Sequence, residues 1–279
     1  MTDRAIQLLV VDVDGTLIGA SGEPSAPVRR AIVTAQRSGL QVALCSGRPM
    51  ASVGAIARSL GLAGPHIAFN GALVRDPVEG TVVRRTPLPP AALDHLIALG
   101  REAGVCLELY TDVTHYVERD RSEAQRHAAS IRVTYQIASF DCFFGRTDIV
   151  KGQIVTADDR DRELTSHLAR ELAGQLRFSV AIPTGVAAGM ECVNVVDPSV
   201  SKGEAVQTLV AYLGLTRDQV AGAGDALNDL PMLEVVGWRF AMGNAEPELK
   251  AVADCVVAGV EEDGLAEVIG RILDRGTLG

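Results

Sequence analysis

The chain has 279 residues, enough for one large domain or two of ordinary size with a sizeable core. Apolar residues make up 47% and charged residues 22%, a globular rather than a disordered composition. A formal charge of −9 leaves no basic excess for a nucleic-acid backbone or an anionic membrane, yet allows a small phosphorylated substrate held by local cations and a metal.

The chain opens on a strand. Gln7-Leu8-Leu9-Val10-Val11 is an apolar and β-branched run, the pattern of a strand covered on both faces. Asp12 and Asp14 follow one residue apart, and Gly15-Thr16 turns the chain. An acidic pair directly after a hydrophobic strand is costly unless a cation or hydrogen-bond donors meet it. The pattern then predicts a helix over 27–38, with Pro27 in its first turn and Gly39 ending it. Leu40 to Cys45 reads as a second buried strand, left through Ser46-Gly47-Arg48-Pro49. Residues 50–60 read as a helix, and Ile67-Ala68-Phe69 as a short strand ending at Asn70-Gly71. This β-α-β-α-β rhythm is that of a doubly wound parallel sheet.

From about Arg84 to Cys192 the rhythm changes. Leu88-Pro89-Pro90 makes a break, a helix covers 91–103, and strands at 105–110 and 115–118 are joined by a short turn, which is antiparallel logic. A helix at 122–129, strands at 132–137 and 148–156, a helix at 160–172 and strands at 176–182 and 190–196 complete an expected inserted α+β domain. The first rhythm resumes at Ser201-Lys202-Gly203-Glu204, which opens a helix to Leu213. Strands at 220–223, 240–242 and 255–257 then alternate with helices at 228–235, 247–252 and 265–273. One sheet is thus expected from both ends of the chain, with the middle third as an excursion.

Five cysteines (Cys45, Cys106, Cys142, Cys192, Cys255) are scattered without a Cys-x-x-Cys pair, so reduced and mostly buried thiols are expected. Met1-Thr2-Asp3-Arg4 leads into the first strand without the pattern of a secretory leader, and no apolar run approaches the ~20 residues of a membrane span. A cytoplasmic location is expected.

Four polar groups occupy equivalent places in this scheme. Asp12 and Asp14 follow the first strand, Ser46 the second, Lys202 the strand ending near Val196, and Asp225, Asn228 and Asp229 the strand at 220–223. In a parallel sheet these places face one edge, where open α/β sheets bind ligands. Each has a plainer reading. Asp14-Gly15 and Ser46-Gly47 could be ordinary turns, and Asp225 or Asn228 could cap the next helix. Lys202 sits in the first turn behind a Ser201/Glu204 capping-box pattern, facing the positive end of the helix dipole. A solvated lysine tolerates that, and an anion at the same helix end would turn the penalty into attraction. The convergence of all four carries the functional reading.

Asp12-Val13-Asp14-Gly15-Thr16-Leu17, Ser46-Gly47-Arg48-Pro49, Ser201-Lys202-Gly203 and Gly224-Asp225-Ala226-Leu227-Asn228-Asp229 resemble, in order, the four motifs of the haloacid dehalogenase-like (HAD) superfamily. Leu230-Pro231-Met232-Leu233, Ala241-Met242-Gly243-Asn244-Ala245 and Glu262-Asp263-Gly264 add to the likeness. With the insertion between the second and third motifs, the chain resembles the Cof-type, subclass IIB branch of HAD phosphatases. Residues 1–83 and 193–279 would then form a Rossmannoid HAD-like core, and 84–192 an inserted α/β cap of C2 type that selects the substrate.

The resemblance implies a Mg2+-dependent hydrolase of a small phosphorylated metabolite, a sugar phosphate or similar phosphomonoester, working through an aspartyl-phosphate. Asp12 would be the nucleophile and Asp14 the general acid, then base. The metal would be held by the Asp12 and Asp225 carboxylates and the Asp14 main-chain carbonyl. Ser46, Gly47 and Lys202 would hold the transferring oxygens, with Asn228 orienting the site or touching phosphate, Asp229 supporting and Arg48 contacting substrate. Arg119, Arg121, Arg126 and His127 are polar candidates on the cap that a solvated helix face explains equally well. Two other readings stay open: a phosphomutase or phosphotransferase on the same fold, and a non-catalytic binding module. Neither nucleic acid nor a membrane is an expected partner.

Overall fold

A computed structural model describes residues 5–181 and 187–276. The first segments alternate as expected: β1 (Leu8–Val11), α1 (Ala26–Arg37), β2 (Gln41–Leu44), α2 (Met50–Ser59), β3 (His66–Ala68), β4 (Leu73–Arg75) and β5 (Val82–Arg85). The middle of the chain gives α3 (Pro90–Ala103), β6 (Cys106–Tyr110), β7 (His115–Val117), α4 (Ser122–Ile131), β8 (Gln136–Ile137), β9 (Lys151–Thr156), α5 (Asp159–Glu171), β10 (Arg177–Ala181) and β11 (Glu191–Val196). The remainder is α6 (Lys202–Tyr212), β12 (Val220–Gly224), α7 (Leu230–Val235), β13 (Trp238–Ala241), α8 (Pro247–Val252), β14 (Cys255–Val256) and α9 (Gly264–Gly276). The expected end of one strand at Ile182 lies outside the described residues, as does Met1-Thr2-Asp3-Arg4.

Two compact units result, one from Met1–Arg48, Val53–Arg84 and Ser201–Gly279, the other from Pro49–Ser52 and Arg85–Val200. In the first, a five-stranded sheet runs in the order β14-β13-β12-β1-β2, every pairing parallel. From β1 the chain moves outward to β2, whereas from β12 it moves the other way through β13 to β14. Right-handed crossovers therefore place α1 and α7 on opposite faces, and the strand order reverses between β1 and β12. All four residues of β1 and all five of β12 are buried, which is why their sequences are continuous apolar or small runs. Helix α1 packs with α9, and α6 with α7.

Two expectations change here. The third strand joins the parallel sheet only through one parallel bridge, Cys45–Ile67, and is otherwise paired antiparallel with β4 in a sheet of its own. The strand before Lys202 is not a core strand either. β11 pairs antiparallel with β9 and β10 through Val195 and Val196, so the boundary expected at 192/193 falls inside a ladder and the units part after Val200.

The second unit is a six-stranded sheet in the order β10-β11-β9-β6-β7-β8. Leu107, Leu109, Ile154, Val193 and Val195 pack with Leu93, Leu96 and Ile97 of α3 and Leu168 of α5 in one apolar core. Cys45, Cys106 and Cys192 are buried free thiols, while Cys142 is exposed. No described helix is long and apolar enough to cross a membrane.

Candidate active site

The site lies in the first unit, at the carboxyl ends of β1 and β12, where the strand order reverses. Asp12 leaves β1 with its N–H on the Ala223 carbonyl at 3.0 Å, and Cys45 leaves β2 with its N–H on Val11 at 2.8 Å. Gly15 then turns the chain with φ +85°. A Cβ there would stand 2.2 Å from Asp225 Oδ2, so the turn admits glycine alone. Thr16 donates to Asp225 Oδ1 at 2.8 Å, tying the first acidic turn to the second.

Lys202 reaches this cluster by helix packing rather than by following a core strand. Ser201 caps α6 by accepting the Glu204 N–H at 3.1 Å. The reciprocal half of the capping box does not form, because the Glu204 carboxylate faces Arg84 at 3.7 Å. The turn at Phe69–Gly71 packs on the start of α6, where a Cβ on Gly71 would lie 2.2 Å from the Ser201 carbonyl. A Cβ on Gly203 would lie 2.4 Å from the Pro231 carbonyl, so α6 and α7 meet backbone to backbone. The Lys202 ammonium ends 2.5 Å from Asp12 Oδ1 and 2.5 Å from Asp229 Oδ1.

Asp229 is wholly buried. Its Oδ2 accepts from the Asp225 and Ala226 N–H groups at 3.0 and 3.1 Å, so both oxygens hold the neighbours in place. Ligand oxygens of Asp12, Asp225 and Asp229 lie within 4.8 Å of one another. Among the described residues, Asp12 Oδ2 and Asp225 Oδ2 receive no hydrogen bond. Three carboxylates thus surround one ammonium, with two hard oxygen donors unspent. That set fits a hard divalent cation. The electrostatics say the same: burial and the repulsion of Asp229 push Asp12 well above the usual carboxylate range, and Lys202 only partly offsets them. Burial lifts Asp225 to about 6 against the Thr16 hydrogen bond, with Asp229 adding to the rise. Burial alone would depress Lys202, yet Asp12 and Asp229 hold it well above its ordinary value.

The remaining expected residues fall around this centre. Ser46 is buried, with its N–H on the Ile67 carbonyl and its Oγ accepting the Arg48 N–H at 3.1 Å. Asp14 stands apart from the carboxylate cluster. Its side chain is more than half exposed and accepts Arg48 Nε at 2.8 Å and Nη2 at 2.6 Å, a two-pronged pair. Gly47 faces the Asn70 amide, whose Oδ1 would sit 3.0 Å from a Cβ at position 47. Asn228 donates to the same Asn70 Oδ1 at 3.1 Å.

Sequence reasoning gave Asn70 no role. The signal was the Asn-Gly pair: Asn70 adopts φ +56°, the left-handed conformation that asparagine tolerates, and its N–H bonds the Ser46 carbonyl at 3.0 Å. Thr16 was also missed as the partner of Asp225. Of the polar residues expected on the cap, His127 is buried against Glu108 at 2.8 Å instead of lying on a solvated face, while Arg119 is exposed.

The family profile of the haloacid dehalogenase-like hydrolases matches residues 9–269. The chain belongs to this family. Phosphatase YwpJ of Bacillus subtilis is 27% identical over 286 residues, covering 96% of this chain and all of that one. Pyridoxal phosphate phosphatase YbhA of Escherichia coli is 28% identical over 279 residues, covering 96% and 98%. The crystal structure of a haloacid dehalogenase-like hydrolase from Bacteroides thetaiotaomicron superposes with a TM-score of 0.85 at 25% identity, covering 96% and 99%. The chain is a phosphatase of the HAD family, with the acidic cluster suited to the metal ion such enzymes use.

Proposed function

We propose that this HAD phosphatase is a magnesium-dependent phosphomonoester hydrolase of a small phosphorylated metabolite, a sugar phosphate or similar ester, working through phosphorylated Asp12. The observation that carries the reading is the Lys202 ammonium held between Asp12 and Asp229 with Asp225 beside them. Asp12 Oδ attacks phosphorus in line as the ester P–O bond breaks, which splits one difficult displacement into two. Lys202 keeps positive charge beside both the attacking carboxylate and the transferring oxygens. Ser46, the Gly47 N–H and Asn228 donate to those oxygens, and the hydrogen bond from Asn228 to Asn70 Oδ1 supports the orientation of the Asn228 amide. Asp14 gives its proton to the departing alkoxide. It then takes a proton from water, whose oxygen attacks phosphorus, breaks the Asp12–phosphorus link and releases orthophosphate. Arg48 holds the Asp14 carboxylate between these transfers and is available to the substrate when they part. Asp12, Asp225 and the Asp14 carbonyl would hold Mg2+, which when bound supplies positive charge at the transferring oxygens.

The test is orthophosphate release from a broad panel of phosphorylated metabolites, with and without a chelator, beside an Asp12→Asn control. Metal-dependent release lost in the control supports the reading. An isomeric phosphate ester as product would instead make the enzyme a mutase, and no turnover on any substrate would make it a binding module. Selection of the leaving group by the inserted unit is part of the same proposal.

A further inference from the structure

The sheet of the second unit has one apolar face, and on the other a smaller apolar cluster stands beside buried polar residues. Alternation along β6, β9 and β11 sends Leu107, Leu109, Ile154, Val193 and Val195 into the apolar core, and Glu108, Tyr110, Lys151, Gln153 and Asn194 to the opposite side. Across the strands Lys151 stands opposite Tyr110, and Gln153 stands opposite both Glu108 and Asn194. Part of this face is satisfied internally. Glu108 Oε2 accepts from the Tyr110 hydroxyl at 2.7 Å and meets His127 Nδ1 at 2.8 Å, and His127 Nε2 meets the Gln153 amide at 2.9 Å.

Among the described residues, Glu108 Oε1 and His115 Nδ1 are buried without a hydrogen-bond partner, and further groups on the face stand beside them. Lys151 is 3% exposed, yet among the described residues its ammonium makes no ion pair and no hydrogen bond. Its ammonium lies over the Tyr110 ring, 5.5 Å from Nζ to the centroid. The contrast with Lys202, bonded to two carboxylates, is direct. The Gln153 and Asn194 side chains spend their amide N–H groups on His127 and on the Ser179 carbonyl, and no described donor reaches either amide oxygen. Both residues are buried. An ammonium that no described carboxylate pairs, beside two amide oxygens that no described donor reaches, leaves these groups free to meet a ligand. Burial pushes Lys151 down to about 8, against the pull of Cys192 and Glu108.

We propose that Lys151, Gln153 and Asn194 form a recognition site for a small hydroxy acid, its carboxylate on the Lys151 ammonium and its hydroxyls donating to the two amide oxygens. Such a ligand brings an anion into direct contact with Lys151 and donors to the two amide oxygens. It can come as the sugar-acid leaving group of the phosphomonoester, which would narrow the substrate class, or as a free acid. Only the first source rests on the phosphatase reading.

One arm of the test compares kcat/KM for 6-phosphogluconate and glucitol 6-phosphate, which differ by carboxylate against alcohol. The leaving-group source predicts that the wild type prefers the acid and that Lys151→Met costs the acid about ten- to a hundredfold. That substitution would leave the alcohol within a factor of two or so, and Lys151→Arg would restore part of the loss. The second arm measures gluconate binding by calorimetry to the Asp12→Asn protein, where no turnover is needed. Binding lost on adding Lys151→Met supports the site. Competition with 6-phosphogluconate assigns it to the substrate, and independence assigns it to a free acid. Equal effects on acid and alcohol, together with no gluconate binding, overturn the proposal. Should Lys151→Met not fold, a wild type that shows neither acid preference nor gluconate binding overturns it equally. Failure of the phosphatase reading would show instead as undiminished turnover in Asp12→Asn.

Discussion

Two carboxylates one residue apart have been given opposite environments. Asp12 is buried and bonded to Lys202, while Asp14 is largely exposed and clasped by Arg48. The buried one can be desolvated against phosphorus, and the exposed one can exchange protons. Asp14→Asn is therefore expected to lower turnover by roughly 10²- to 10⁴-fold, measured as orthophosphate release at saturating substrate, with KM little changed. Gly15 separates the two acidic turns. Gly15→Ala forces a left-handed φ on a residue with a Cβ and drives that Cβ into Asp225. A loss of more than about 1 kcal/mol in chemical denaturation is expected, with weaker apparent affinity for Mg2+ in activity titrations. A variant as stable as the parent would mean that Asp225 is free to move aside.

Among elements, α4 against β6 shows how a polar pair can sit inside a sheet face. Burial opposes charge on both Glu108 and His127. Their mutual attraction nevertheless holds Glu108 down at about 2, helped by His115, and lifts His127 to about 9. The two shifts stabilise over different ranges. The Glu108 contribution is present above its ordinary value of 4.5 and is lost as pH falls through about 2. The His127 contribution is present below 6.5 and is lost as pH rises through about 9. Both act in full only between these ordinary values, so the second unit should be most stable there. Glu108→Gln should cost about 3–5 kcal/mol in urea unfolding, because it leaves a buried imidazolium without its anion. A loss under about 1 kcal/mol would mean that His127 is neutral in the folded state.

Most elements were legible because their signals are local: continuous apolar runs for β1 and β12, Pro and Gly bracketing α1, the Ser201 cap of α6. Misreadings came where partners far along the chain decide. Ile67-Ala68-Phe69 has the composition of any buried strand, and nothing local tells that β3 meets β2 through one parallel bridge alone and pairs antiparallel with β4. His127 falls on a helix of mostly polar sequence, and only β6 shows that its side faces Glu108.

The whole molecule draws its acidic cluster from segments nearly 220 residues apart in sequence, from Asp12 to Asp229, gathered where the parallel order reverses. That gathering was legible because each motif follows a turn of recognisable chemistry. Asn70 and Thr16 were not, since each acts through one side chain with no pattern around it. The excess of carboxylate over ammonium makes the metal-free fold sensitive to pH. Asp225 has an ordinary value of 3.8 and is raised to about 6, so the folded state holds a proton that the unfolded chain releases. Its stabilising contribution is complete below 3.8 and lost as pH rises through about 6. Thermal melts in a chelator should therefore show this contribution fading toward neutral pH. Added Mg2+ should raise the melting temperature chiefly above pH 6, where it no longer competes with the proton. An equal Mg2+ effect at pH 4 and pH 8 would place the ion elsewhere.

The central claim is that Asp12 itself carries the phosphoryl group. Rapid quenching during turnover of a phosphomonoester, followed by reduction with tritiated borohydride and peptide mapping, reads this directly. The account predicts tritium in homoserine at position 12 alone, and none in Asp12→Asn. Label at another residue, or steady release of orthophosphate by Asp12→Asn, would contradict it.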